Sequence, residues 1–332
     1  MGGGFAQDKN PLSTFGPDLN EFSRDVNFLT LAKNSDFIYL RASGSGTGKL
    51  RIDNKFLEFA KECRRLGIPC GAYHFAKPSK DLDSAVIQAD QFIDVLQQGF
   101  GDGDYGDLFP VLDVETPTDK SLTTTELVNW IDRFRDRFEE KTRRRLMLYT
   151  GLFFIGLYDD FKVPGKGYPL SDMPLWIAMY TRIPSNPRIP PNVGGWKRWT
   201  MWQFTDEGKL DGVGSPVDLN WGPNSIDSLM PPSAVTGLNA YISGNKIFVN
   251  WTANKEDDLN GYNVFVNDNY AGTLPRKATK IVIDKSRFYL PKGKPIKISI
   301  EAFDITGDFS KERTEYILDN NGEFLGENLY FQ

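Results

Sequence analysis

The chain has 332 residues, of which 40% are hydrophobic and 25% are charged. This composition is typical of a globular protein and is too apolar for a disordered one. A formal net charge of −5 argues against a surface built for nucleic acid, and no apolar run approaches the ~20 residues of a membrane span. Cys63, Cys70 and His74 are the only cysteine and histidine residues, too few for a zinc site, so we expect no metal or other cofactor. The two cysteines are expected to be buried thiols rather than a disulfide.

Residues 14–228 are predicted to form an irregular α/β barrel of the TIM-like (β/α) type. Strand-like and helix-like runs alternate there, which is typical of βα units around a parallel sheet. Prolines are frequent after residue 150, so we expect loops between the later strands. The predicted strands span 36–42, 69–75, 108–115, 146–150, 175–180, 201–204 and 217–220. One predicted helix spans 54–66, a second follows the N-cap Ser84 and ends at Gly99, and a third begins with a Thr123–Glu126 capping box and ends at Arg143–Arg145.

A second domain is predicted after the Pro231–Pro232 boundary. Residues 232–318 contain short alternating strands separated by Gly, Asn and Asp turns, which predicts a small all-β, immunoglobulin-like sandwich. Trp251, Tyr262 and the turn Asp304-x-x-Gly307 resemble a fibronectin type III module. The remaining predicted segments are a flexible N-terminus over 1–13 and a tail over 319–332 that ends in a protease-site scar.

The clearest chemical signal is a pair of acids near the end of the predicted strand 108–115. Residues i and i+2 of a strand point to the same side, so Asp113 and Glu115 are predicted to project together. The carboxyl ends of barrel strands are where such folds place their active sites. Two adjacent carboxyls cannot both ionise cheaply, so one pKa should rise, as the general acid of glycoside hydrolysis requires. The alternative is a helix cap and a surface charge, because Asp-x-Glu is a common pattern.

Seven short motifs occur in a fixed order between residues 14 and 222. They are Gly16-Pro-Asp18, Gly71-Ala-Tyr73-His74-Phe75, Gln88-Ala-Asp90, Leu112-Asp113-Val-Glu115, Leu175-Trp176-Ile-Ala-x-Tyr180, Met201-Trp202-Gln203-Phe-Thr-Asp206 and Val217-Asp218-Leu-Asn220. In this order they resemble glycoside hydrolase family 25, the lysozymes of the cellosyl and phage-endolysin type. The chain departs from the family's Thr-Glu-Gly segment, because residues 42–48 contain no acid. Because of that departure, the resemblance does not predict the shape of this part of the substrate groove.

The resemblance implies roles for the residues at matching positions. Glu115 would be the general acid and Asp113 would assist it, with retention of configuration and participation of the substrate's own acetamido group. Asp18, a third catalytic candidate, would orient that group or a water. The implied substrate-binding residues are Tyr73, His74, Trp176, Tyr180, Trp202, Gln203 and Asp218. From the residues alone, Trp176 and Trp202 also fit a core role, and His74 fits a hydrogen-bonded structural role.

These observations predict a lysozyme that cuts the β-1,4 bond between N-acetylmuramic acid and N-acetylglucosamine of peptidoglycan. We expect a monomer that acts at the bacterial cell wall, phage-encoded or secreted. Its C-terminal module would contact a wall polymer or a phage virion, or serve as a spacer. One alternative is a wall-binding or virion structural protein whose active site is weakened, which the altered segment 42–48 motivates. Another is a different barrel glycosidase such as a chitinase, although Phe109, Pro110 and Val111 stand where further acids would be expected.

Overall fold

The computed structural model describes residues 9–45, 50–319 and 322–327. The chain divides into two compact units between Met230 and Pro231. Within the described ranges, no helix is long and apolar enough to cross a membrane. Cys63 and Cys70 are both buried and are not bridged, as predicted.

The first unit is an eight-stranded barrel, which confirms the predicted irregular TIM-like architecture. Six neighbouring pairs, from β1–β2 through β7–β8, run parallel, and β9 closes the barrel antiparallel to both β8 and β1. The additional strand β3 pairs only with β2, outside the closed ring. The strands are β1 (Phe15–Leu19), β2 (Ile38–Ser45), β3 (Leu50–Ile52), β4 (Cys70–Phe75), β5 (Val111–Asp113), β6 (Met147–Gly151), β7 (Leu175–Ala178), β8 (Met201–Leu210) and β9 (Val213–Trp221).

Helices cover the outside of the barrel mainly in its first half. Only the six-residue α5 follows β6, and β7 continues into a loop, as the prolines after residue 150 predict. The helices are α1 (Phe28–Asn34), α2 (Phe56–Leu66), α3 (Leu82–Phe100), α4 (Thr124–Thr142) and α5 (Leu152–Leu157). Two short 3₁₀ segments, Asp159–Phe161 and Ile226–Leu229, complete the helical elements described in this unit.

The capping of α3 differs from the prediction, and that of α4 agrees with it. Thr123 and Glu126 form the predicted capping box, in which each side chain accepts the other residue's backbone N–H at 3.1 Å. The N-cap of α3 is Asp81, whose side chain accepts the Asp83 N–H, so the helix begins before Ser84. Ser84 Oγ instead accepts a hydrogen bond from Trp130 Nε1 at 2.8 Å, which links α3 to α4.

Strand β5 is shorter than the predicted strand 108–115. Its last paired residue is Asp113, so Glu115 lies in the loop that follows. Pro117 has no backbone N–H with which to extend the ladder. Leu112 and Val114 pack among the helices, as expected, whereas Val111 points into the barrel.

The second unit is all-β and consists of two antiparallel sheets around a shared core. One sheet has the order β10-β11-β14, and the other has the order β13-β12-β15-β16-β17. Both sheets contribute to the core, for example through Trp251 and Tyr262, whose ring centroids lie 5.3 Å apart. The strands are β10 (Thr236–Ser243), β11 (Lys246–Thr252), β12 (Leu259–Val266), β13 (Asn269–Pro275), β14 (Lys280–Asp284), β15 (Ile296–Asp304), β16 (Thr314–Leu318) and β17 (Phe324–Glu327). The likeness to fibronectin type III stays a prediction.

Three predicted segments lie partly outside the described residues. Of the N-terminus predicted as flexible, residues 1–8 lie outside, and residues 10–13 form a hydrogen-bonded turn. Of the glycine-rich segment 42–48, residues 46–48 lie outside. The predicted tail 319–332 is described over 319 and 322–327, and it contains β17, which pairs with β16. The backbone of Phe324–Glu327 therefore extends the five-stranded sheet.

The capping box gives a direct test of the first unit's helical framework. Thr123→Ala removes an acceptor for a helix N-terminal N–H and should lower the free energy of unfolding of this unit by about 1 kcal/mol. Thr125→Ala, at an exposed position in the same first turn, is the matched control and should change stability by less than about 0.5 kcal/mol. Urea titration followed by circular dichroism measures both. Equal effects of the two variants would contradict the capping role.

Candidate active site

Four carboxyl groups meet at the carboxyl ends of the barrel strands. Asp18 of β1 stands opposite Asp218 of β9 in the antiparallel ladder. Asp113 ends β5, and Glu115 follows it by two residues. Electrostatic coupling between Asp18 and both Glu115 and Asp113 shows that the two pairs share one site. The closed barrel therefore brings together acids that are about 200 residues apart in sequence.

The first pair is Asp113 and Glu115, whose side chains hydrogen-bond to each other. Two carboxylates have no hydrogen to share, so this contact requires a proton on one of them. Burial and the Glu115 charge hold the pKa of Asp113 well above its ordinary value. Burial also raises the pKa of Glu115, and the Asp113 hydrogen bond opposes that rise. The pair therefore holds a proton to higher pH than isolated carboxyls do.

The two members of this pair differ in access. Asp113 is only 4% exposed, and within the described chain no donor reaches its buried Oδ1. Glu115 is partly exposed and lines an open pocket. The carboxyl that a ligand can reach is therefore that of Glu115, with Asp113 behind it.

The second pair is Asp18 and Asp218, and here too a proton is shared. Burial and the neighbouring Asp18 charge raise the pKa of Asp218 to about 10. Burial also raises the pKa of Asp18, but hydrogen bonds from Asp218, Asn220 and Gln203 oppose that rise. Asp218 is therefore the protonated partner, and Asp18 is the carboxylate that accepts its hydrogen bond.

Two buried amides fix Asp18 in place. Gln203 Nε2 donates to Asp18 Oδ2 at 2.8 Å, and Asn220 Nδ2 donates to the same oxygen at 3.0 Å. Tyr149 and Tyr180 donate to Gln203 Oε1 at 2.6 and 2.7 Å, so that the amide nitrogen must face Asp18. Gln203 is 2% exposed, which makes it a positioning residue rather than the predicted substrate contact. Trp176 orients Asn220 in the same way, through Nε1 to Oδ1 at 2.8 Å.

An open pocket of about 360 Å³ lies beside Glu115. Tyr149 and Tyr180 form one wall, and the start of α5 supplies an apolar wall. Tyr180 is 48% exposed, so its ring is available to a ligand, and its role as a substrate contact stays a prediction. The lining residues are Glu115, Thr116, Tyr149, Gly151, Leu152, Phe153, Phe154, Ala178, Met179 and Tyr180.

Tyr73 and Trp176 lie inside the barrel beneath the acids. Tyr73 is 8% exposed, and the charges of Asp18, Asp113 and Asp218 help to raise its pKa. Trp176 is 1% exposed and packs edge-on against Tyr73 and Tyr149. Trp176 is therefore the buried floor of the site, which corrects its prediction as a sugar-stacking residue.

His74 and Trp202 point away from the site, which corrects their assignment to the substrate groove. His74 is fully buried between Phe92 of α3 and Phe134 of α4. Its ring nitrogens contact Ser43 Oγ at 2.8 Å and Gln88 Oε1 at 3.0 Å, and burial lowers its pKa to about 4. Trp202 is also fully buried and donates through Nε1 to the Met179 carbonyl at 3.0 Å. Both are structural residues of the outer core.

Sequence reasoning missed two residues of the site. Tyr149 occupies the third position of β6 and reaches both the pocket and Gln203. Arg41 of β2 is held by ion pairs to Glu21 and Asp53 at 2.8 Å, and its charge opposes the rise in the pKa of Asp113. The period-2 pattern of strand 146–150, next to the acidic strand, is the signal that could have identified Tyr149.

A TIM-like barrel with a pair of acids at its strand ends, beside an open pocket, is an arrangement that glycoside hydrolases use. The family model for glycosyl hydrolases family 25 matches residues 17–213, more than half of the chain. The chain belongs to this family, as its ordered motifs predict.

Relatives and solved structures agree with this assignment. Lysozyme M1 of Streptomyces globisporus is 29% identical over 210 residues, which are 62% of this chain and 66% of that protein. Protein YegX of Escherichia coli K12 is 28% identical over 220 residues, 64% of this chain and 71% of that protein. The catalytic domain of endolysin ply40 from Listeria monocytogenes bacteriophage P40 superposes with a TM-score of 0.54 at 25% identity, covering 67% of this chain and 97% of that one.

The protonated state of Asp218 predicts a trade-off between stability and function. Its pKa is about 10 in the folded protein, against an ordinary value of 3.8. Its contribution to stability is therefore complete below about pH 4 and is lost as the pH rises toward 10. Asp218→Asn mimics the protonated form and should raise the free energy of unfolding at pH 8 by about 1–3 kcal/mol, with a smaller gain at pH 5.

Urea unfolding followed by tryptophan fluorescence at both pH values measures this effect. Asp211→Asn, at an exposed turn position where Asn-Gly is well tolerated, is the matched control. If Asp218→Asn instead lowered the free energy of unfolding at pH 8 by as much as at pH 5, or by more, Asp218 would be ionised in the folded protein.

Proposed function

We propose that this protein is a peptidoglycan hydrolase of the lysozyme type, which cleaves the β-1,4 bond between N-acetylmuramic acid and N-acetylglucosamine in the bacterial cell wall. The observation that carries this proposal is the hydrogen-bonded pair of Asp113 and Glu115 at the edge of an open pocket. Family membership and the relative named lysozyme M1 support the substrate class.

Glu115 is proposed as the general acid. It is the member of its pair that lines the pocket, so it can reach the oxygen of a bound glycosidic bond. A bound sugar excludes water from Glu115, raises the pKa of Glu115 further and draws the shared proton from Asp113 toward it. Asp113, which is too buried to touch the sugar, is proposed as the partner that keeps this proton at neutral pH.

The acetamido oxygen of the substrate is proposed as the internal nucleophile. It attacks the anomeric carbon while the bond to the leaving oxygen breaks and that oxygen takes the Glu115 proton. Water then adds to the same carbon, gives a proton to the Glu115 carboxylate and restores the acetamido group. Asp18, which is 6% exposed and is fixed as a carboxylate by Gln203 and Asn220, is proposed to stabilise the positive charge of the cyclic intermediate from behind the pocket.

Replacement of Glu115 tests the acid directly. Glu115→Gln keeps the shape of the side chain and removes the proton, so release of reducing ends from purified cell walls should fall about 10²–10⁴-fold. Glu207→Gln, an exposed position of β8, is the matched control and should retain the parent rate. Mass spectrometry of the products should find the new reducing end on N-acetylmuramic acid.

Other outcomes would overturn this proposal. A Glu115→Gln variant as active as the parent would remove the role of Glu115. A parent protein that sediments with walls but releases no sugar would favour a wall-binding protein, and faster cleavage of chitin oligomers would favour a chitinase.

Asp113 should set the alkaline limit of activity. The active enzyme carries the proton on Glu115, so activity is lost as the pH rises through the upper pKa of the pair. In Asp113→Asn the amide donates to ionised Glu115 and lowers its pKa, so the alkaline limb of kcat/KM should move to lower pH by about 1 unit or more. Profiles of kcat/KM against pH on soluble wall glycan, for this variant and the parent, measure the change. An unmoved alkaline limb would show that Asp113 and Glu115 do not share a proton.

A further inference from the structure

The second unit contains a dense run of positive charge that the proposed hydrolysis does not use. Residues 276–294 hold seven basic residues and a single acid, Asp284, although the whole chain has a net charge of −5. Six of the seven basic side chains are exposed, and Lys285 is half-buried. The seven residues, named here the basic side, are Arg276, Lys277, Lys280, Lys285, Arg287, Lys292 and Lys294.

The fold places Arg276, Lys277, Lys280, Lys285 and Arg287 along one flank of the sandwich, and Lys292 and Lys294 lie in the loop before β15. β14 is an edge strand of the three-stranded sheet, and β13 is an edge strand of the five-stranded sheet. These two edges are neighbours, since Arg287 Nη2 donates to the Ala271 carbonyl of β13 at 2.8 Å. Basic residues lie before, within and after β14. The strand's five residues, at about 3.3 Å each, separate Lys280 from Lys285 by roughly 15 Å.

Within the described part of the second unit, these cations have no carboxylate partners. Over the described ranges 231–319 and 322–327, no ion pair involves any member of the basic side, and Asp284 is paired with Lys246 at 3.2 Å. Protection of an exposed sheet edge accounts for a lysine on the edge strand itself, which is Lys280. It does not account for the basic residues of the flanking loops.

We propose that the basic side binds an anionic phosphodiester polymer of the bacterial cell wall. The choice of a cell-wall polymer rests on the proposed function. The charges are spread along an edge rather than converging on one point, which suits an extended polyanion better than a single phosphate ion. Repeated phosphates exchange their counterions for lysine and arginine side chains, so the binding is salt-dependent. Such binding holds the enzyme on its insoluble substrate while the barrel cleaves the glycan.

The test measures binding of purified poly(glycerol phosphate) to the full chain by calorimetry at about 50 and 200 mM salt. The variant K277Q/K280Q/K292Q/K294Q should bind at least about tenfold more weakly at the lower salt, with a shallower dependence on salt. The matched control K33Q/K61Q/K166Q/K209Q removes four exposed lysines of the first unit and the same total charge, and should bind like the parent. Circular dichroism confirms that both variants are folded.

Three outcomes would overturn the proposal. They are parental affinity in the first variant, equal loss in both variants, and tighter binding of the parent to a DNA duplex than to the phosphate polymer. Hydrolysis of soluble wall glycan is measured on the same proteins, and both variants should keep the parent rate. If none of the three proteins hydrolysed the glycan but the parent and the control variant still bound the polymer, the proposed function would be refuted. Polymer binding by the basic side would still stand.

Discussion

The cost of ionising adjacent carboxyls inside a barrel mouth governs the chemistry of this protein. Asp113 with Glu115, and Asp18 with Asp218, each join a buried carboxyl to a partly exposed one, and each pair favours keeping one proton because two bare charges in contact would be destabilising. The barrel provides the rigidity that keeps them close. Tyr73 and Trp176 fill the space beneath and exclude water from below, which sustains the raised pKa values.

The two pairs are built differently, and the difference suits different tasks. Asp18 is clamped by two amides whose orientation is fixed by Tyr149, Tyr180 and Trp176, so its charge and position are both set before a ligand arrives. Glu115 lies beyond the end of β5, in a loop at the pocket, where its proton can leave and return. A preorganised carboxylate beside a mobile proton is the arrangement that acid-catalysed glycoside cleavage needs. This arrangement lowers the stability of the folded chain, because acids with raised pKa values reduce the free energy of unfolding as the pH rises.

Much of this arrangement was predictable from the sequence, and the failures have physical causes. In the first unit hydrophobic periodicity located β2, β4–β9 and the helices α2–α4 but not the short β1, β3, α1 and α5, and the i, i+2 rule placed Asp113 and Glu115 together. The same rule separates Tyr73 from His74, and Gln203 from Trp202. Neighbouring residues of a strand face opposite sides, so in each couple only one member can enter the barrel. The clamp on Asp18 was beyond prediction, because it joins three strands through contacts that only the closed barrel creates.

The most direct measurement is a ¹³C NMR titration of the side-chain carboxyls, with the signals of Asp113 and Glu115 assigned from the Asn and Gln variants. The structure predicts that this pair releases its last proton only at a pH clearly above the pH near 4 at which exposed acids ionise. If both carboxyls were fully ionised below about pH 5, like exposed acids, the shared proton and the catalytic role built on it would be wrong.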